Sequence, residues 1–191
     1  MSPAGPPIDI IRGWAASIPA ELALKGIPWA RYTVTMYDRT FPRPRWECWF
    51  HDDPRRTYTF GGGDPIVPVA IEDNALVRVV RRRLAERGYG EFDSCFGNRY
   101  DDGSHSISWH ADDERWIGPV IASVTFGAVR KFKMKPKPGH EGEPVDLLLE
   151  HGDLLIMRAG CQDRWLHCVP KTKKDVGCRV NLTFRQTRGV P

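Results

Sequence analysis

The second half of the chain constrains the fold most. From Phe92 onward, runs of strand length are cut repeatedly by turn residues: Asp101-Asp102-Gly103, Gly118-Pro119, Gly139, His151-Gly152, Ala159-Gly160 and Gly177. Punctuation of this kind predicts an all-β sandwich or jelly roll with helices packed outside it. A chain of 191 residues has room for one ordinary core and little more. The expected fold class is therefore mainly β with flanking helices.

Ahead of the strands, one helix is expected from about Glu72 to Arg87. Leu76, Val79, Val80 and Leu84 would form its apolar stripe, and Gly88 its stop. Arg78, Arg81 and Arg82 read as a solvated charged face and receive no role. Pro19, Glu21 and Gly26 mark a short entry helix, and Arg31 to Tyr37 alternates as a strand would. Between Phe41 and Pro68 the sequence is crowded with Pro, Arg, Gly and aromatics, including Trp46, Trp49, Tyr58 and Phe60. That stretch reads as a long irregular region of the kind that carries binding function. Residues 1–68 are thus expected to form an N-terminal extension, and residues 69–191 the helix and β core, within one integrated domain.

Composition excludes several classes. With 41% hydrophobic and 27% charged residues, the chain is neither disordered nor membrane-like. Asp9, Arg12 and several prolines interrupt residues 1–22, so no signal peptide or membrane span is expected there. The five cysteines are odd in number and lack any CxxC pair, which argues against a disulfide framework or a structural zinc site. An intracellular monomer, cytoplasmic or nuclear, is the expectation. From Arg164 to the end there are seven Lys or Arg against one acid, Asp175, a balance that admits a polyanionic partner. Lys131, Lys133, Lys135 and Lys137 alternate with Phe132 and Met134, which serves edge-strand protection and phosphate contact equally well.

Chemistry concentrates in two places. In Ile107-Ser108-Trp109-His110-Ala111-Asp112, residues two apart on a strand share a face, so His110 and Asp112 point together and Ala111 turns away. His167, just before Pro170, offers a third ligand. Two histidines and a carboxylate form the facial triad of non-haem iron(II) oxygenases, which leaves positions open for cosubstrate and O2. The second place is Arg179-Val180-Asn181-Leu182-Thr183-Phe184-Arg185, where odd positions are polar and even ones apolar. One face of that strand lines a polar cavity and the other packs in the core. Two arginines inside a small sandwich need an anionic partner, and a dicarboxylate is the natural resident. Arg179 and Arg185 lie roughly 20 Å apart along an extended strand, so they would reach opposite ends of it.

Five segments in order carry a resemblance: Asn98-Arg99-Tyr100-Asp101-Asp102-Gly103, His110-Ala111-Asp112-Asp113-Glu114, Ile121 to Ala128, Trp165-Leu166-His167, and Arg179 to Arg185. Together they resemble the AlkB family of Fe(II)/2-oxoglutarate-dependent dioxygenases, most of all the nucleic-acid demethylases that are its second and third human homologues. The resemblance covers about Tyr58 to Gln186, with a looser match before it. It implies a double-stranded β-helix (jelly roll) core, with His110, Asp112 and His167 as iron ligands. Asn98, Tyr100 and Arg179 would hold the distal carboxylate of 2-oxoglutarate, with Asn181 and Arg185 nearer its other end. Implied with these are Fe(II), 2-oxoglutarate as cosubstrate, and O2.

The implied activity is oxidative demethylation of 1-methyladenine or 3-methylcytosine type bases in DNA or RNA. Decarboxylation of 2-oxoglutarate to succinate would be coupled to hydroxylation of the methyl group and loss of formaldehyde. Tyr58, Phe60 and Asp113 match positions where the family reads the base, and Glu114 follows them. Asp113 with Glu114 equally suits a turn, and Tyr58 and Phe60 equally suit a core. Residues 38–54 match the nucleotide-recognition lid through Pro42-Arg43 or Pro44-Arg45. Gly160-Cys161-Gln162-Asp163 departs from the family pattern. Tyr37, with Phe41, is a candidate wedge for duplex substrates. Two alternatives stand beside this reading: an iron hydroxylase or demethylase acting on protein or another substrate, and a nucleic-acid-binding protein with a vestigial site.

Overall fold

The computed structural model describes residues 5–59 and 63–188. In chain order its elements are β1 (Ile8–Ile11), α1 (Ala20–Lys25), β2 (Thr33–Met36), β3 (Arg39–Pro42), β4 (Trp46–His51), β5 (Tyr58–Thr59), β6 (Pro65–Ile66), β7 (Val69–Ala70) and α2 (Ala75–Glu86). There follow β8 (Ser94–Tyr100), β9 (Ile107–His110), β10 (Ile117–Gly127), β11 (Arg130–Pro136), β12 (Val145–Leu149), β13 (Leu154–Met157), α3 (Cys161–Arg164), β14 (Trp165–Val169) and β15 (Arg179–Thr187). A seven-stranded sheet runs β1-β13-β10-β15-β8-β4-β7, and a four-stranded sheet runs β12-β11-β14-β9. Two small hairpins, β2-β3 and β5-β6, stand apart from both sheets.

Period-two alternation explains how the layers stack. In the large sheet, Ala122, Val124, Phe126, Val180, Leu182 and Phe184 share a core with Ala23 of α1 and with Val77, Val80 and Leu84 of α2. The other face of that sheet sends Tyr100, Ile121, Leu155 and Met157 against Phe132, Met134 and Val169 of the small sheet. The jelly-roll core expected from the sequence is thus present, with its helices outside.

Three details depart from expectation. The helix begins at Ala75, because Ile71–Asp73 form a 3-10 turn and the Asn74 side chain caps the helix by accepting from Val77 N at 3.1 Å. Its buried stripe is Val77, Val80 and Leu84, whereas Val79 is 40% exposed; Val79 lies about 100° around the helix from Val80. The segment 41–68 is not one irregular region. It contains β4, which pairs with β8 on one side and β7 on the other. Both faces of β4 are covered, so no exposed polar face marks it as a strand. Finally, β11 lies between β12 and β14, so its lysines protect no edge. Lys131 and Lys133 instead pair with Asp146 of β12.

The start of the chain is pinned to the turn before β13. Gly152 has φ +82°, and a Cβ there would meet Ala16 N at 2.4 Å, so only glycine fits. The Asp153 carboxylate accepts from Gly13 N at 3.0 Å and Glu150 N at 2.9 Å, and it pairs with Arg12. Among the described residues all five cysteines are free, and no helix is long and apolar enough to cross a membrane.

Candidate active site

Strand pairing places the histidines. His110 ends β9 and lies directly opposite His167 on β14, with ring centroids 4.3 Å apart. Asp112 follows two residues beyond the strand end, and ligand atoms of all three residues lie within 4.8 Å of one another. Each is held from behind. The Nδ1–H of His110 donates to the Ser108 carbonyl at 2.7 Å, which leaves its Nε2 as the lone-pair atom, 3.9 Å from Asp112 Oδ1. Phe132 stacks on His167 at 5.3 Å. Asp112 Oδ2 accepts from Arg185 Nη2 at 2.7 Å, and Asp112 N donates to Gln162 Oε1 at 2.9 Å.

The charge states suit metal binding. Burial opposes ionisation of Asp112, yet the Arg185 guanidinium and the two imidazoles outweigh it and hold the carboxyl well below its ordinary range. Burial, with His110 beside it, pushes His167 down to about 3, so its imidazole is neutral. Two imidazoles and one carboxylate match the donor set of a facial triad. The residues present therefore fit a divalent first-row metal ion with positions left open.

The same cavity holds a second demand. Arg179 is 1% exposed; its Nη2 donates to Thr125 Oγ1 at 3.1 Å, while Nε and Nη1 have no hydrogen-bond partner among the described residues. Burial lowers its pKa to about 10, which still leaves it cationic at neutral pH. Tyr100 lies between Arg179 and Arg130, whose guanidinium carbons are 5.4 and 5.7 Å from the ring centroid. Arg130 donates to the carbonyls of Asp102, His105 and Pro170, without a carboxylate. A buried guanidinium whose neighbours include no paired carboxylate fits an anionic ligand.

Of the residues singled out in the sequence, His110, Asp112, His167, Asn98, Tyr100, Arg179, Asn181, Arg185, Tyr58 and Glu114 all line this one cavity. The Arg185 guanidinium also donates to Asp112. The amide of Asn181 is engaged too: Nδ2 donates to Ser123 Oγ at 2.7 Å, and Oδ1 accepts from Thr183 at 2.8 Å. Asp113 does not line the cavity; it turns outward and pairs with Lys137 at 2.7 Å. Alternation past the strand end points Asp112 and Glu114 inward together. Glu114 Oε1 accepts from the Tyr58 hydroxyl at 2.9 Å, and Tyr58 stands edge-on to Trp116 and Trp49 at 5.5 and 6.1 Å. Tyr37 lies outside the cavity at the tip of the β2-β3 hairpin, and Phe60 lies outside the described residues. The sequence assigns no role to Glu47, Trp116 or Gln162, and to Arg45 only a match to the lid; the fold brings all four to the site.

A jelly roll that brings together two histidines of its small sheet and a carboxylate just beyond it, facing an unsatisfied guanidinium across the cavity, has the donor set of the mononuclear non-haem iron oxygenases. Sequence comparison agrees: residues 27–185 match the 2OG-Fe(II) oxygenase superfamily, and the chain belongs to it. It is 36% identical over 188 residues to alpha-ketoglutarate-dependent dioxygenase alkB homolog 3 of Mus musculus, covering 90% of this chain and 63% of that protein. It is 33% identical over 184 residues to DNA oxidative demethylase ALKBH2 of Arabidopsis thaliana, covering 84% and 59%. The chain thus spans about six-tenths of the length of these relatives. Among solved structures, OsALKBH1 superposes with a TM-score of 0.60 at 18% identity, covering 96% of this chain and 99% of that one, a likeness of fold.

Proposed function

We propose that this chain is an Fe(II)- and 2-oxoglutarate-dependent dioxygenase that demethylates N-alkylated bases of the 1-methyladenine and 3-methylcytosine type in DNA or RNA. The observation that carries this reading is the junction of two sub-sites in one cavity. The His110, Asp112 and His167 triad opens beside Tyr58, Trp49 and Trp116, with the Glu114 carboxylate among them. Aromatic walls and an acid suit a flat, cationic ring, because both favour positive charge over a neutral ring of the same shape.

In this reading His110, Asp112 and His167 hold Fe(II), which when bound supplies activation of O2. One oxygen atom enters succinate as 2-oxoglutarate loses CO2, and the other enters the methyl C–H bond. The resulting N–CH2OH group loses formaldehyde and leaves N–H on the base. Arg179, Asn98 and Tyr100 orient the cosubstrate, Glu114 and Tyr58 orient the base, and Arg185 keeps Asp112 ionised and aimed. A base paired in a stack cannot reach this enclosed site, so the substrate is a flipped or single-stranded nucleotide.

The test is anaerobic reconstitution with Fe(II) and 2-oxoglutarate, then exposure to O2 with oligonucleotides carrying each methylated base, followed by mass spectrometry. Loss of 14 mass units per methyl group, roughly one succinate per event, is expected for cationic methylated bases. Asp112→Ala should abolish succinate formation while the protein stays folded by circular dichroism. Wild-type decarboxylation in that variant would remove Asp112 from the ligand set. Turnover on methylated peptides and none on oligonucleotides would replace the substrate assignment.

A further inference from the structure

Glu47 is fully buried, yet it meets two guanidinium groups. Arg43 Nη1 donates to both of its oxygens at 3.2 and 3.0 Å, and Arg45 Nη2 donates to Oε1 at 2.6 Å. The network reaches further. Glu47 on β4 is the register partner of Asn98 on β8, and Arg45 Nε donates to Asn98 Oδ1 at 2.7 Å.

A guanidinium N–H only donates, so the Asn98 atom facing Arg45 is the carbonyl oxygen. The amide NH2 is thereby turned the other way. Asn98 lines the cavity, and no described residue accepts from its Nδ2. Without the Arg45 contact the amide has two orientations of similar energy. One of them offers an oxygen acceptor, the wrong partner for a carboxylate.

We infer that Arg45, clamped by Glu47, is a positioning residue for the cosubstrate, locking the Asn98 amide with its NH2 toward a carboxylate of 2-oxoglutarate. The inference rests on the reading of the cavity as a 2-oxoglutarate site. It also accounts for the buried Arg43-Glu47-Arg45 group, since a carboxylate held by Arg43 keeps Arg45 rigid and Arg45 then acts through Asn98.

The experiment is a double-mutant cycle on 2-oxoglutarate binding, read by titration calorimetry of the Mn(II)-loaded protein without turnover. Arg45→Met is expected to weaken 2-oxoglutarate about tenfold in the wild-type background, the scale of one hydrogen bond to a charged group. In an Asn98→Ala background the same change should cost less than about twofold. Asn98→Asp should bind more weakly than Asn98→Ala, because it still accepts from Arg45 but presents an anion to an anion. Equal weakening by Arg45→Met in both backgrounds overturns the proposal, as does Asn98→Asp binding at least as well as Asn98→Ala. Should Arg45→Met fail to fold, Glu47→Gln, which keeps the shape and loosens Arg45, enters the same cycle with the same two outcomes. Arg179→Met in the same titration separates the levels. If it and Asn98→Ala both leave affinity unchanged, the 2-oxoglutarate site itself is misplaced and this proposal falls with it. If both weaken binding while the cycle is additive, only Arg45's role is lost.

Discussion

Arg179 is among the largest fully buried side chains, and two of its three guanidinium nitrogens lack a partner among the described residues. An uncompensated buried charge costs several kcal/mol, so this residue works against the fold until an anion arrives. Arg179→Met should therefore raise the melting temperature of the ligand-free protein. An expected gain of about 1–3 kcal/mol corresponds to roughly 3–9 °C for a chain of this size. Added 2-oxoglutarate with Mn(II) should stabilise the wild type and leave the variant unmoved. Thermal unfolding with and without ligand checks both; a variant that melts lower in each condition would make Arg179 a structural arginine. Arg179→Lys keeps the charge and loses the planar fork, so it should raise the Michaelis constant for 2-oxoglutarate far more than that for the oligonucleotide.

At the scale of elements, the β2-β3 hairpin stands apart from both sheets, and every residue of β3 is exposed. Its two-residue turn puts Tyr37 and Asp38 at φ 51° and 58°, a type I′ geometry that β-turn chemistry reserves for Gly, Asn and Asp. A tyrosine in that conformation is strained, and this one is 97% exposed. An aromatic held at a hairpin tip suits insertion into a gap left by a flipped base. Tyr37→Ala is expected to lower activity on methylated duplex DNA at least tenfold and to spare single strands. Matched assays on both substrates check this, and equal loss on the two would rule the wedge out.

The turn before β13 offers a prediction of a different kind. Burial opposes ionisation of Asp153, but the N–H groups of Glu150 and Gly13 and the Arg12 guanidinium outweigh it and hold its carboxyl below the ordinary range. A depressed carboxyl contributes stability above its unfolded pKa of about 4, and that contribution is lost as pH falls through the lower folded value. Asp153→Asn should lower stability by about 1–2 kcal/mol near pH 7, and the gap to wild type should close below roughly pH 4. Denaturant melts across pH measure it; a gap constant with pH would mean that the loss is not electrostatic.

Elements also show what is legible in sequence. The alternation of β15 reads directly, because its apolar positions meet the helices and its polar ones meet a cavity. In β4 the helix-facing residues are Cys48 and Phe50, while the cavity side mixes Glu47 with Trp49. A strand buried on both faces with a polar cavity on one carries no simple pattern, so Glu47 escapes detection, and Arg45 just before it reads only as part of the lid. His110, Asp112 and His167 are legible as candidate metal ligands only through the polar face of β15 and the family-like segments around them, since an HxD with a distant His is common by itself. The inward turn of Glu114 rather than Asp113 is not legible, since it depends on where β9 ends.

On the scale of the whole molecule, the candidate site lies where the sheets meet: His110, Asp112 and His167 come from the small sheet or just beyond its end, and the Arg179, Asn98 and Tyr100 group from the large one. The order of strands in each sheet joins segments far apart in the chain, and no periodicity reveals that order. β1 illustrates the point. It contributes nothing to the cavity, yet it pairs along all four residues of β13, Leu154–Met157, every one of them buried. That pairing has a bearing on solubility. A chain begun at Trp14 would keep every residue of the site while baring the hydrogen-bonding edge of a wholly apolar strand, a ready template for β13 of another copy. Light scattering should find such a shortened protein in growing assemblies at concentrations where the intact one stays dispersed, and equal dispersity of the two would show that β1 guards no edge.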